Sequence, residues 1–173
     1  IALTCSVAWR AVASLAATPS GADVYIGGPF TTANGIPSPW LVRTDSAGRV
    51  RTTTWASLQG MALALDLNDD GTRLAVAQGG VGNQGSWFDT TTGARVWGQR
   101  CDGDAQGIHI VDGTVFTGFH EACEGDTTQR LTANRSANGV RDLSFKPSFD
   151  QFWGVRSIDG DASHLVVAGN FTS

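Results

Sequence analysis

Residues 24–30 read VYIGGPF, followed by TTANG, and residues 165–172 read LVVAGNFT. Between them lie two weaker copies of the same strand, LAVAQ opening at Leu74 and VFTGF opening at Val115. The four opening residues Val24, Leu74, Val115 and Leu165 are spaced by 50, 41 and 50 residues. A second landmark keeps the same phase. Polar turns end in Gly at DSAG (Gly48), DTTTG (Gly93) and RSANG (Gly139), 45 and 46 residues apart. An aromatic follows each of these turns: Trp55, Trp97 and Phe145, with Trp9 in the same place ahead of the first unit.

Fixed-period self-similarity of this length is the signature of a repeat architecture. Each unit opens with an apolar run (ALALDL at 62–67, GIHIV at 107–111, GVRSI at 154–158). A Gly/Asp turn, the VYIGG-like strand, a variable loop, a third run and a short fourth run follow. These are short β-branched or aromatic runs bounded by Gly, Asn and Asp, which reads as strands. AVASLAA at 11–17 comes nearest to a helical pattern, but its place in the unit matches ALALDL, so it too reads as a strand. Four strands per unit of 41–50 residues is the pattern of a β-propeller blade.

The expected fold is therefore all-β, a β-propeller with about four four-stranded blades. The units span roughly 9–54, 55–96, 97–144 and an incomplete 145–173. Because the last unit stops after its second strand, the whole chain 1–173 reads as a segment of a larger ring of six to eight blades. The small residues Gly27, Ala77, Gly118 and Ala168 on the repeated strand are expected to let neighbouring blades approach closely.

The stretch VYIGGPFTTANGIPSPWLVRTDSAGRV resembles the actinobacterial secreted repeats of the delta-60 type and their galactose-oxidase-like, kelch-related propeller relatives. Phe30, Thr31, Asn34 and Gly35 match the middle of that repeat; Asp89, Thr90, Thr92 and Gly93 match its end; Phe171 and Thr172 begin it again. The second and third units depart from it, with AQGGVGNQG and TGFHEACEG. The resemblance implies a secreted or cell-surface protein and names no substrate. Cys101 precedes the first strand of the third unit and Cys123 follows the second, so a hairpin brings them to one end of the blade. A disulfide between them suits the secreted setting that the resemblance implies, and would contribute about 3 kcal/mol on a chain-entropy model. Cys5 is left over.

Composition narrows the function. The net charge is −4, and a single lysine stands against eleven arginines with no basic cluster. That leaves no electrostatic footprint for nucleic acid. No apolar run is long enough to cross a membrane as a helix. No motif of nucleophilic, metalloprotease, phosphate-loop or dinucleotide type occurs, so neither catalytic residues nor a cofactor are assigned.

DLNDDG at 66–71 matches the first half of a calcium loop through Asp66, Asn68 and Asp70, but Ala77 stands where an EF-hand needs Glu. Ordinary turn chemistry accounts for the same residues. FHEACEGD at 119–126 is the densest polar cluster, and His120, Glu121 and Glu124 are candidate ligand-binding residues at a loop tip. Trp40, after a Pro-rich loop, and Trp87, after a Gly-rich one, are candidates for stacking on a sugar. Trp55 and Trp97, at equivalent positions, read as packing between blades. His109 reads as a core or channel residue and His164 as an exposed turn residue.

The function expected from these features is a non-catalytic extracellular scaffold. Its loops would bind a protein or carbohydrate at the cell surface, as a single chain or in a homo-oligomeric assembly. The alternatives are an accessory propeller of a larger secreted hydrolase or copper oxidase, and an adhesin of a phage tail or surface appendage.

Overall fold

The computed structural model describes residues 12–51, 55, 58–121 and 129–172. They form strands and no helix. In the first unit β1 (Ser14–Ala17), β2 (Asp23–Gly27), β5 (Leu41–Asp45) and β6 (Val50–Arg51) make one antiparallel sheet in that order. A two-stranded ribbon, β3 (Thr32–Ala33) and β4 (Ile36–Pro37), is inserted between β2 and β5. The second unit runs β7 (Met61–Leu67), β8 (Arg73–Gly79), β9 (Gln84–Asp89) and β10 (Arg95–Arg100) as a four-stranded meander. The third contains β11 (Ala105–Val111), β12 (Thr114–Phe119) and β13 (Leu131–Arg135), and the fourth β14 (Gly154–Gly160) and β15 (Leu165–Asn170). Chain order equals spatial order within every unit, as short turns between antiparallel neighbours require.

The third unit departs from the expected four strands. Its fourth strand shrinks to one bridge, Asn134 to Arg141. The reason is local. The Asp142 carboxylate accepts the N–H and the hydroxyl of Ser144, and Phe145 N–H bonds to Asp142 O, which turns the chain away from the sheet. Pro147 follows, without an N–H to donate to a ladder.

The periodic glycines have one cause. Gly48, Gly93 and Gly139 have φ of 78°, 70° and 73°, and their N–H groups close turns onto Asp45, Asp89 and Arg135 at 2.8–2.9 Å. That left-handed backbone favours Gly. A second recurring device was not evident in the sequence. The register slips by one residue at Ala62/Ala64, Ala105/Gly107 and Val155/Ser157, so each of β7, β11 and β14 carries a bulge at the same place. A bulge bends its strand and increases the local twist, and here it falls on the strand that leads the second, third and fourth sheets.

The leading strands pack side by side, β7 against β1 and β11, and β11 against β14. Three seams result. Tyr25 and Leu41 of the first sheet meet Ala62, Leu74 and Phe88 of the second. Ala75, Ala77 and Trp87 meet Ala105, Ile108, Val115 and Phe119 of the third. Leu131 meets Val155 and Ile158 of the fourth, with Phe116, Phe145 and Val167 packed against them. A Cβ on Gly118 would lie 2.6 Å from Val155 Cγ1 and 2.9 Å from Val155 O, and one on Gly27 would lie 2.9 Å from Ala62 O. Both glycines thus allow the close approach expected of them. Ala77 is fully buried, whereas Ala168 is exposed.

The equivalent aromatics also sit in the seams. Trp55 meets Tyr25 and Phe88 edge-on at 5.8 and 5.9 Å, Trp97 stacks on Trp87 at 6.0 Å, and Phe145 meets Phe116 at 5.4 Å. Trp9 and Cys5 lie outside the described residues.

Candidate binding site at a loop end

The chain from Phe149 to Gly154 enters the fourth sheet under tight constraint. Phe149 is buried and packs on Phe171 at 4.8 Å, and the Asp150 carboxylate accepts the Thr172 N–H at 2.8 Å. The repeated Phe–Thr pair at 171–172 therefore anchors the entry loop, while its counterpart Phe30 is buried beneath the first sheet with Ile26 and Val42. Gly154 N–H closes the turn onto Gln151 O at 3.1 Å. With φ of 46°, and room for a Cβ taken by Phe119 O at 2.3 Å, this position admits only Gly without rearrangement.

The constraint leaves Phe152 and Trp153 pointing outward, 50% and 47% exposed. Their rings meet edge to face at 5.3 Å and 81°. His120, at the end of β12, tilts against both, with centroids at 5.3 and 5.2 Å. His120 is itself fixed from behind: Nδ1 accepts the Asp104 N–H at 3.2 Å, and its own N–H donates to Asp104 O at 3.3 Å. Nε2 lies 3.4 Å from Glu121 Oε1. The Arg156 guanidinium stands 5.7 Å from the Trp153 ring centroid. An adjoining cleft of about 460 Å³ is lined by Trp153, Arg156, Ser157, Ala168, Gly169 and Asn170.

His120 and Glu121 thus come together at a loop end, as the sequence suggested, and Glu124 and Cys123 lie outside the described residues. The expectation for Trp87 is corrected. It is 3% exposed, because β9 presents it to the third sheet, where Trp97 stacks on it. Trp40 stays on the first sheet, half-buried at φ 66°, its N–H bonded to Phe30 O.

The DLNDDG side chains are engaged by the fold itself, Asp66 across the seam and Asn68 and Asp70 within their turn. Asp66 Oδ2 accepts the Ile110 N–H at 2.8 Å and lies 2.9 Å from His109 Nδ1. Asn68 Oδ1 accepts the Arg73 N–H, and Asp70 Oδ1 accepts from Thr72. The hydrogen bonds from Thr72 hold the Asp70 carboxyl below the usual carboxylate range. Among the described residues no three His, Cys, Asp or Glu side chains are placed to hold a metal ion. His109 lies between sheets and His164 is exposed in its turn, as read from the sequence.

Phe152 and Trp153 were missed. The available signal was the FW pair itself. Both fall in the turn that Gly154 N–H closes onto Gln151 O, ahead of the strand that packs into the seam.

No family model matches the chain, and no curated protein matches it. Among solved structures it is similar to the computationally designed Ika4 protein (TM-score 0.68, 14% identity, covering 98% of this chain and 92% of that one). It is also similar to the RRP9 WD40 repeats (0.69, 13%, 95% and 47%) and to BamB from Moraxella catarrhalis (0.65, 16%, 91% and 44%). The chain spans under half the length of the last two. Successive antiparallel meanders packed seam to seam, together with these likenesses, define the fold as a β-propeller built of repeats. Among the described residues no helix is long and apolar enough to cross a membrane.

Proposed function

We propose that the chain is a non-catalytic extracellular scaffold that binds a glycan of the cell surface through the loop end bearing His120, Phe152 and Trp153. One observation carries this reading. Two aromatic rings are half exposed yet held rigidly by Gly154, Asp150 and His120. Contiguous exposed apolar surface rimmed by polar groups marks interaction sites, and pre-organised rings forfeit little conformational entropy on binding. The neighbouring polar groups of Arg156, Ser157 and Asn170 suit a ligand that is both flat-faced and rich in hydroxyls.

The secreted setting, the kinship with delta-60-type repeats and the Cys101–Cys123 disulfide belong to this proposal. The burial of Cys101 in the seam between the second and third sheets is compatible with the last of these.

A titration followed by Trp fluorescence and by saturation-transfer NMR, using a panel of soluble oligosaccharides, tests the reading. Wild type is expected to bind at least one of them, and W153A to lose that binding with its melting temperature unchanged. Retention of binding by W153A, or capture of a protein ligand only, would overturn the glycan reading.

A further inference from the structure

The seams between sheets repeat one contact, and the chain carries both halves of a further one. Leu65, Ile108 and Ile158 hold the same place on β7, β11 and β14, opposite Val76, Thr117 and Val167 of the second strand. Each is buried in the cluster formed with the preceding sheet: Leu65 with Tyr25, Ile108 with Ala75, Ile158 with Phe116. Tyr25, Ala75 and Phe116 in turn hold one place on β2, β8 and β12. In the first sheet the place of Leu65 falls to Leu15, opposite Ile26, and Leu15 is 61% exposed. In the fourth sheet the place of Tyr25 falls to Val166, opposite Asp159, and Val166 is 64% exposed. A knob and the face that receives it thus stand bare at opposite ends of the row of sheets.

The polar contacts of the seams are matched as well. Ser14 Oγ accepts the Leu65 N–H at 2.9 Å, and Asp66 Oδ2 accepts the Ile110 N–H at 2.8 Å. Ser157 and Asp159 hold those two acceptor places on β14, and both are exposed. Asp159 Oδ1 takes the Gly160 N–H at 2.8 Å, as Asp66 Oδ1 takes that of Leu67 at 2.9 Å. The donors that match these acceptors are the N–H groups of Leu15 and Ala17, the register equivalents of Leu65 and Ile110. Ile26, beside Leu15, is already covered by Phe30 and Ala33. The projecting Leu15 is therefore what the first sheet offers at this contact.

We infer that a second copy of this chain docks head to tail, with Leu15 of each copy set against Val166 and Ala168 of the other. Burial of such aliphatic surface drives association, and the Ser157 and Asp159 acceptors fix its register. The chain spans under half the length of two propellers that share its fold, so two copies supply the sheets of one ring. A head-to-tail contact closes only when its rotation completes a turn, and two half rings meet that condition. Ser157 and Ala168 also line the cleft beside Trp153, so the second copy becomes the opposite wall of that cleft. The inference stands on the seams and does not need the glycan reading.

Sedimentation velocity on the 173-residue chain, from low to high micromolar concentration, tests it. A species of twice 18.1 kDa is expected. L15E and V166K are each expected to weaken self-association about a hundredfold, as an unpaired charge in a dry seam requires. Both should leave folded monomers by circular dichroism, because both positions are exposed in the single chain. An equimolar mixture of L15E and V166K is expected to dimerise again: one seam keeps both wild-type residues and the other pairs the two new charges. V81E, at an exposed position on the second unit, is expected to leave the mass unchanged. A wild-type chain that stays monomeric throughout overturns the inference. So do a dimer that survives both substitutions, a mixture that remains monomeric, an equal loss with V81E, or an open series of larger assemblies. A monomer that still binds a saccharide leaves the glycan reading standing, and a dimer that binds none removes that reading alone.

Discussion

Trp87 and Trp153 are the same residue in two opposite situations. Trp87 sits on β9 and is closed off by Trp97, whose Nε1–H donates to Ser136 O of the next sheet at 2.9 Å. Trp153 sits at the mouth of β14 and is half exposed, touched by His120 and Phe152 without being covered. In the seam a ring is worth its buried area. At the loop end it contributes little to the fold and leaves part of its surface exposed. Ring size and hydrophobicity do not separate the two cases; what packs over each ring does.

That contrast is open to direct attack. The largest expected effect is at the seam. Trp87→Ala should destabilise the protein by about 3–5 kcal/mol, the range for a large aromatic removed from a core, whereas Trp153→Ala should stay within about 0.5 kcal/mol, as for a surface position. Urea unfolding midpoints at constant m-value check both, and similar losses for the two variants would erase the distinction drawn here.

A smaller effect is expected where sheets three and four meet. Gly118→Ala would set its Cβ against Val155 Cγ1 and the Val155 carbonyl oxygen, and the oxygen belongs to backbone that cannot swing away. Overpacking of this kind costs about 1–3 kcal/mol. Because the seam carries β14, the same substitution should also blunt the Trp153 fluorescence response to ligand, which sharpens the comparison by linking seam to site.

The smallest effect is electrostatic and lies on the first sheet, away from both tryptophans. Asp23 accepts from Arg43 at 2.6 Å and is reached by Arg51 at 3.0 Å. Its carboxyl is held below the ordinary value chiefly by the Arg43 hydrogen bond. A depressed folded-state pKa means that the stabilisation is complete above the unfolded value and is lost as the pH falls through the folded one. Melting temperature should therefore fall on acidification below about pH 4. Asp23→Asn should flatten that slope without changing ligand binding near neutrality. An unchanged slope in the variant would assign the acid sensitivity to other carboxylates.

Much of this was readable from the chain. The glycines at 48, 93 and 139 advertised their turns because a left-handed backbone restricts the residue type at each point. Trp55, Trp97 and Phe145 advertised the seams because they recur in phase. The bulges stayed hidden, since Leu63, Gln106 and Arg156, the extra residues, share no chemistry. Trp87 misled because a Gly-rich loop before a tryptophan says nothing about what packs on the far side of its strand.

Sequence alone determined the repeat, the strand order within each unit and the turn positions, since alternation, β-propensity and glycine backbone freedom act over a few residues at a time. Only the tertiary structure decided which faces are covered and which aromatics stay exposed. Those outcomes depend on contacts between residues distant in the chain, such as Gly118 with Val155 and His120 with Trp153, and local chemistry carries no record of them.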